Sequence, residues 1–170
     1  MFDLTPASWC DTFAPSRARP ALIGFEFIPR PVRLPAATQP DFQQFMRLAH
    51  RQQWQFDYQR VAAFLRNPQH ALLVTDLREQ IQFVNQGFVA MTGYEREEVL
   101  GRRPDFLQGT DTSSDTRREV QSSLQAQQPF EGKLVNYRKN GEPYWCNIQI
   151  TPLFTVNQEL THFMAFEWEN

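Results

Sequence analysis

Cysteine, histidine and paired acid–base side chains are where chemistry would first be sought in this chain. It has two cysteines, Cys10 and Cys146, far apart and in no CxxC spacing, and three scattered histidines, His50, His70 and His162. That set argues against both a disulfide scaffold and a zinc centre. Nothing basic lies beside Cys146 in sequence to lower its thiol pKa, so it reads as a small buried hydrophobe rather than a nucleophile. His70 and His162 read as surface or packing residues, with only weak support for a haem ligand. No nucleophile is paired with a base, and no glycine-rich loop could cradle phosphates, so an enzyme is not expected.

The elements that must position any site follow from proline and apolar spacing. The chain has 170 residues, long enough for one substantial core. Seven of its twelve prolines fall between Pro6 and Pro40, which forbids a long helix there. Residues 1–39 are therefore expected to be an arm, with Ala21–Ile28 its one candidate strand. Thr38-Gln39-Pro40-Asp41 is a helix start, and Asn67-Pro68 is a stop. Between them Trp54, Tyr58, Val61 and Leu65 recur at helical spacing. Residues 40–67 are expected to be one flanking amphipathic helix, its stripe either a core face or a dimer seam.

From residue 68 the text becomes short alternating pieces. Strands are expected at Ala71–Thr75, Ile81–Val84, Phe130–Arg138, Glu142–Phe154 and Glu159–Trp168, with short helices after Asn85 and Glu95 and a longer one from Thr112 to about Gln127. Asn140-Gly141 marks a hairpin. On the second long strand Tyr144, Cys146, Ile148 and Ile150 share one face. On the last strand Phe163 and Ala165 alternate with Met164, Phe166 and Trp168, so both faces of the sheet need cover. Those three, with Tyr137 and Trp145, are expected to form an outer apolar face that the flanking helix buries, within the subunit or across a dimer. The fold class is α+β: a five-stranded antiparallel sheet with short helices on one face and the N-terminal helix on the other.

Seventeen basic residues against nineteen acidic ones give a net charge of −2, which argues against nucleic acid as a partner. No apolar run is long enough to span a membrane, and no secretory signal opens the chain, so a cytoplasmic location is expected.

The segments Asn85–Phe88, Thr92-Gly93-Tyr94-Glu95-Arg96-Glu97-Glu98-Val99-Leu100-Gly101, Phe106-Leu107-Gln108-Gly109, Asn136–Gly141 and Tyr144-Trp145 together resemble a PAS domain over residues 68–170. The wording is most similar to the LOV subgroup of blue-light flavin receptors. That resemblance implies a sheet and helices enclosing a small pocket. It also implies a cysteine before Phe-Leu-Gln that forms an adduct with the flavin, and here that position is Pro104. Two arginines expected to grip the flavin phosphate are replaced by Asp105 and Gln121. Of two asparagines expected at the ring edge, Asn136 is kept and the other is Cys146. The glutamine expected on the last strand is Glu167, while Gln108 is retained. Arg102, Arg103, Arg117 and Arg118 are the cations that could replace the phosphate grip, although surface charge is their commoner role.

On this basis Asn136, Gln108, Cys146, Glu167 and Ile148 are the candidate pocket lining. Two readings stay open: a hydrogen-bonded polar cluster that holds the core, or the lining of a pocket for a small polar ligand. If Glu167 is enclosed, its pKa should rise unless a donor meets it. The function the resemblance implies is a non-enzymatic sensory module acting through homodimer or partner-protein contacts, with adduct photochemistry lost. The chain ends at Asn170 without an effector segment, so output is expected to pass to another protein. The alternative is a cysteine-less flavin-binding light or redox sensor. The cofactor is therefore either none or a flavin, FMN or FAD.

Overall fold

The computed structural model describes residues 33–169. The expected Pro-rich arm, including its candidate strand Ala21–Ile28, lies almost wholly outside the described residues. The elements are α1 (Gln39–Gln52), β1 (Trp54–Gln55), α2 (Tyr58–Phe64), β2 (Ala71–Asp76), β3 (Ile81–Val84), α3 (Gln86–Thr92) and α4 (Arg96–Val99), then a 3-10 turn (Pro104–Leu107), α5 (Ser114–Gln125), β4 (Phe130–Tyr137), β5 (Pro143–Thr155) and β6 (Leu160–Glu169).

All strand pairs are antiparallel. The central order is β5-β6-β2-β3, and the other edge of β5 is shared by β4 along Pro143–Ile150 and by β1 at Phe154–Thr155. The five expected strands are thus joined by a sixth, two-residue strand. No helix among the described residues is long and apolar enough to cross a membrane.

Alternation on the long strands splits the interior into two cores. The inner one packs Ala71, Leu73, Ile81 and Val84 with Tyr144, Cys146, Ile148, Ile150, Phe163 and Ala165 against Phe88, Met91, Val99 and Leu107 of the short helices. The outer one packs Leu72, Val74, Phe83, Leu153, Met164 and Phe166 against Phe42, Phe45, Ala49, Trp54, Val61 and Leu65.

The single helix expected over residues 40–67 is corrected. Gln53 adopts a left-handed conformation (φ 56°) and closes α1, its N–H bonding back to the carbonyls of Ala49 and His50. Trp54 and Gln55 then pair with Thr155 and Phe154, and Asp57 caps α2 by accepting from the Arg60 N–H at 3.1 Å. The four stripe residues still reach the outer core, but by a helix–strand–helix turn. Extended backbone at Trp54 lets its indole N–H donate to Thr161 Oγ1 at 3.0 Å. Phe45 lies at the centre of this cover, with ring centroids 5.2 Å from Phe56, 5.8 Å from Phe83 and 6.3 Å from Trp54.

The expected extent of the outer face is also corrected. Trp145 is 55% exposed, with the Lys133 ammonium 5.2 Å from its ring. Tyr137 turns to the 109–112 loop, donating its hydroxyl to Asp111 Oδ2 at 2.8 Å. Both lie beyond the reach of α1 and α2, which cover β6, β2, β3 and the far end of β5.

Asn85 shows how the inner helices are set. It is fully buried, accepts from the N–H groups of Leu72 (2.8 Å) and Phe88 (3.0 Å), and donates to the His70 carbonyl (2.8 Å). One side chain thereby caps α3 and clamps it to β2, satisfying backbone groups that would otherwise be orphaned in the core. Gly93 ends α3 with φ 75°, the left-handed position that glycine occupies at least cost.

Candidate functional site

Four of the five candidate residues lie on the inner face of β4, β5 and β6. Asn136 faces Tyr144 across the β4–β5 ladder, and Ile148 faces Glu167 across β5–β6. Cys146 stands between Tyr144 and Ile148 on the same face and donates its thiol toward Glu167 Oε2 at a sulfur–oxygen distance of 3.9 Å. Strand alternation brings these side chains together, because the even positions of β4 and β5 and the odd positions of β6 share the face that curls around the short helices.

The polar atoms of this face are poorly satisfied. Glu167 is only 2% exposed. Burial pushes its pKa from 4.5 up to about 7, against the opposing effect of the Cys146 thiol. The Cys146 thiol is itself pushed well up, first by burial and then by the neighbouring carboxyl, so it is a protonated, inert thiol. Burial likewise raises the Tyr144 hydroxyl. Neither Tyr144 Oη nor Asn136 Oδ1 has a well-formed hydrogen bond among the described residues, although the two side chains are cross-strand neighbours. Buried polar atoms normally find partners, so two side by side are notable.

Arg138 lies at the rim. Its guanidinium stacks 4.5 Å from the Tyr144 ring, donates to the Met91 carbonyl and pairs with Glu169 at 2.8 Å.

Gln108 is the one candidate residue that lies off these strands. It follows the 3-10 turn and lines an open surface cleft of about 730 Å3 with Asp105, Phe106, Gly109, Thr110 and Arg117. Gly109 is required there, because a Cβ would fall 2.3 Å from the Tyr137 ring. Thr112 fixes the loop, accepting from the Gly109 N–H (2.9 Å) and donating to the Val135 carbonyl (2.6 Å). Pro104 opens the 3-10 turn. The Asp105 carboxylate is exposed and sits 3.9 Å from Arg103 Nε, and Gln121 is exposed on α5. Of Arg102, Arg103, Arg117 and Arg118, Arg117 is the one that lines the cleft, donating to the Thr112 carbonyl at 3.2 Å.

Chemically, this inner face sets a protonated thiol beside a carboxyl whose pKa burial raises to about 7, among groups able to hydrogen-bond. Among the described residues no group of three or more His, Cys, Asp or Glu side chains is arranged to hold a metal ion.

With fold and site described, comparison with known proteins decides the family. The sequence model of the PAS domain matches residues 69–167. The chain belongs to the PAS domain family. Its PAS domain is 39% identical over 97 residues to a blue-light-activated histidine kinase of Brucella anthropi, covering 55% of this chain and 20% of that protein. It is 36% identical over 89 residues to blue-light-activated histidine kinase 1 of Erythrobacter litoralis, covering 52% and 25%. The chain therefore spans about a quarter or less of these relatives. Among solved structures, the LOV domain of the Erythrobacter litoralis EL346 kinase superposes with a TM-score of 0.56 at 27% identity, covering 58% of this chain and 94% of that one. The blue-light photoreceptor Vivid does so with 0.56 at 26%, covering 61% and 80%. The PAS domain thus has LOV-domain homologues, and it is a sensory signalling module.

Two features of the chain, one in the PAS domain and one on the flanking helix α1, were invisible to sequence reasoning. The unpartnered Tyr144 hydroxyl was placed on the right face but not singled out, because alternation gives a residue's side and not its hydrogen bonds. Asp41, buried and joined to Arg96 and the Gln86 N–H, is a polar residue at a helix start, where solvent exposure is the usual expectation.

Proposed function

We propose that this PAS domain is a non-enzymatic sensory module in which LOV-type adduct photochemistry is lost and output passes through contacts with another protein or a second copy. The observation that carries this is Pro104. The resemblance puts the reactive cysteine at this position, and a proline side chain has no nucleophilic atom. Cys146 is no substitute, since its thiol is buried, protonated and directed at Glu167.

The residues present do not fit a flavin phosphate held in the manner the resemblance implies. Asp105 brings a negative charge to the cleft and Gln121 no charge at all, so two charge-assisted contacts are missing. Arg117 supplies a cation in the cleft, but one already engaged with the Thr112 carbonyl. At the ring end the fit is better, since the Asn136 amide oxygen has no hydrogen bond among the described residues and Glu167, its pKa raised to about 7, offers a donor when protonated. A small, neutral, hydrogen-bonding ligand suits such an interior better than a phosphorylated one. Asn136, Cys146, Ile148 and Glu167 would line its site, with Gln108 at the outer cleft.

The test is illumination of the purified full chain loaded with riboflavin, followed by absorbance. The expected outcome is no reversible, dark-recovering loss of the blue flavin band, and Pro104→Cys is the variant in which such a cycle would be regained. A reversible bleach in the wild-type chain would overturn the proposal.

A further inference from the structure

The two cores lie on opposite sides of the sheet, and an ionic contact between a buried carboxylate and a partly exposed guanidinium joins the elements that cover them. Asp41 is on the first turn of α1, which packs on the outer core through Phe42, Phe45 and Ala49. Its carboxylate is only 4% exposed. One oxygen accepts from Arg96 Nη2 on α4, and the other accepts from the Gln86 N–H at the start of α3 at 2.7 Å. Arg96 Nη1 also donates to Gln44 Oε1 on α1 at 3.1 Å. Arg96 Nε is buried with no hydrogen-bond partner among the described residues, so the guanidinium is held chiefly by α1. The helices at the far end of this contact cover the inner core: α3 supplies Phe88 and Met91, and α4 supplies Val99.

The route runs around the β3 end of the sheet rather than through it. Phe83 of β3 points into the outer core and Ile81 and Val84 into the inner one. The chain then leaves the strand at Asn85 and enters α3 directly beneath Asp41. We propose that the Asp41–Arg96 clasp is the link by which a rearrangement of the inner core reaches the flanking helix α1. Both ends of the clasp move if α3 or α4 shifts, because one carboxylate is bonded to both helices at once. A buried carboxylate cannot exchange such partners for water without a large desolvation penalty, so α1 follows α3 and α4 instead of letting go. Asp41, Arg96 and Gln44 are positioning residues in this scheme. The inference rests on reading the chain as a sensory module whose input arises in the inner core, but its test needs no ligand and no light.

Amide hydrogen exchange of the full chain, followed peptide by peptide, reads the coupling. Met91→Ala opens a cavity under α3 in the inner core, on the side of the sheet away from the core that α1 packs on. With the clasp intact, it should speed exchange in residues 39–52 by about fivefold or more. In an Asp41→Asn, Arg96→Gln background, adding Met91→Ala should change α1 exchange by less than about twofold while still speeding exchange in α3. Coupling is reciprocal, so Phe45→Ala in α1 should speed exchange in residues 86–99, again only with the clasp intact. Arg96→Lys keeps a charge for Asp41 but loses the two-armed contact, and should give an intermediate value. It also serves if the double variant releases α1 altogether. The proposal is overturned if Met91→Ala leaves α1 unchanged in the wild-type background, or if it speeds α1 by the same factor with the clasp cut. It is equally overturned if Arg96→Lys transmits no less than wild type. Any of these results would leave the sensory reading standing, since that depends on the flavin and illumination experiments.

Discussion

The outer and inner cores of this PAS domain are built from the same strands and are made of different material. The outer core is a stack of rings and aliphatic side chains, with Phe42 on Tyr58, Phe45 on Phe56 and Phe64 on Phe166, all edge to face at about 5 Å. The inner core mixes aliphatic residues and phenylalanines with Asn136, Tyr144, Cys146 and Glu167, and it leaves an amide oxygen and a hydroxyl without a well-formed hydrogen bond among the described residues. Stability is concentrated where burial is apolar, and chemistry is concentrated where polar groups are kept at a cost. The difference teaches which side of the sheet tolerates change. The outer side should be intolerant of truncation, whereas the inner side should accept substitutions that remove its polar groups.

The largest effect is expected on the outer side. Phe45→Ala empties a fully buried site ringed by Trp54, Phe56 and Phe83 and should cost about 3–5 kcal/mol in urea unfolding. Deleting residues 1–66 goes further. It bares Leu72, Val74, Phe83, Leu153, Met164 and Phe166 together, a patch larger than soluble monomers usually expose, and the fragment should aggregate or fail to fold. A 67–170 fragment that stays soluble, monomeric and as stable as the whole chain would erase the contrast between the cores.

Next comes Glu167, the charge hidden on the inner side. Its folded pKa lies near 7 against 4.5 in the unfolded chain. Between those values the unfolded chain loses its proton while the folded one keeps it, so stability falls as pH rises through that window and is level above it. The full fall is about 3 kcal/mol. Glu167→Gln cannot ionise, so its unfolding free energy should be flatter from pH 4.5 to 7 and should exceed that of the wild type at pH 8. Parallel pH profiles for the two proteins would show that Glu167 is not held neutral.

The smallest effect belongs to Tyr144. Removing a buried hydroxyl with no well-formed hydrogen bond among the described residues should be neutral or stabilising, so Tyr144→Phe is expected to shift stability by less than about 1 kcal/mol in thermal unfolding. A loss of 2 kcal/mol or more would mean that the hydroxyl has a strong partner.

How much of this was legible in the sequence depends on the range of the signal. Alternation placed Cys146, Ile148 and Ile150 on one face, and Phe163 against Met164 and Phe166 on opposite ones, because a strand's two faces are written two residues apart. The flanking segment misled because Trp54, Tyr58, Val61 and Leu65 satisfy helical spacing by coincidence of a turn. Gln53 is neither Gly nor Asn, so its left-handed backbone left no trace, and the one available signal was Asp57 as a cap for α2. In the site, Glu167 was legible as a strand residue that would be costly if enclosed. Gln108 was not, since a residue following a 3-10 turn has no periodicity to fix its direction, and it faces the cleft. The Asp41–Arg96 clasp joins residues 55 apart in sequence, and local pattern carries no information about such a contact.

The claim that the scaffold is retained while the cofactor machinery has changed is tested most directly by titrating the full chain with FMN. Each missing charge-assisted contact is worth about 1.5–3 kcal/mol, so a restored pair amounts to at least about a hundredfold in affinity. The expected result is weak or no saturable binding to the wild type, and binding at least about a hundredfold tighter to the Asp105→Arg, Gln121→Arg variant. Stoichiometric FMN binding by the wild-type chain at micromolar concentration would contradict it, and would show that Arg117 or another cation already grips the phosphate.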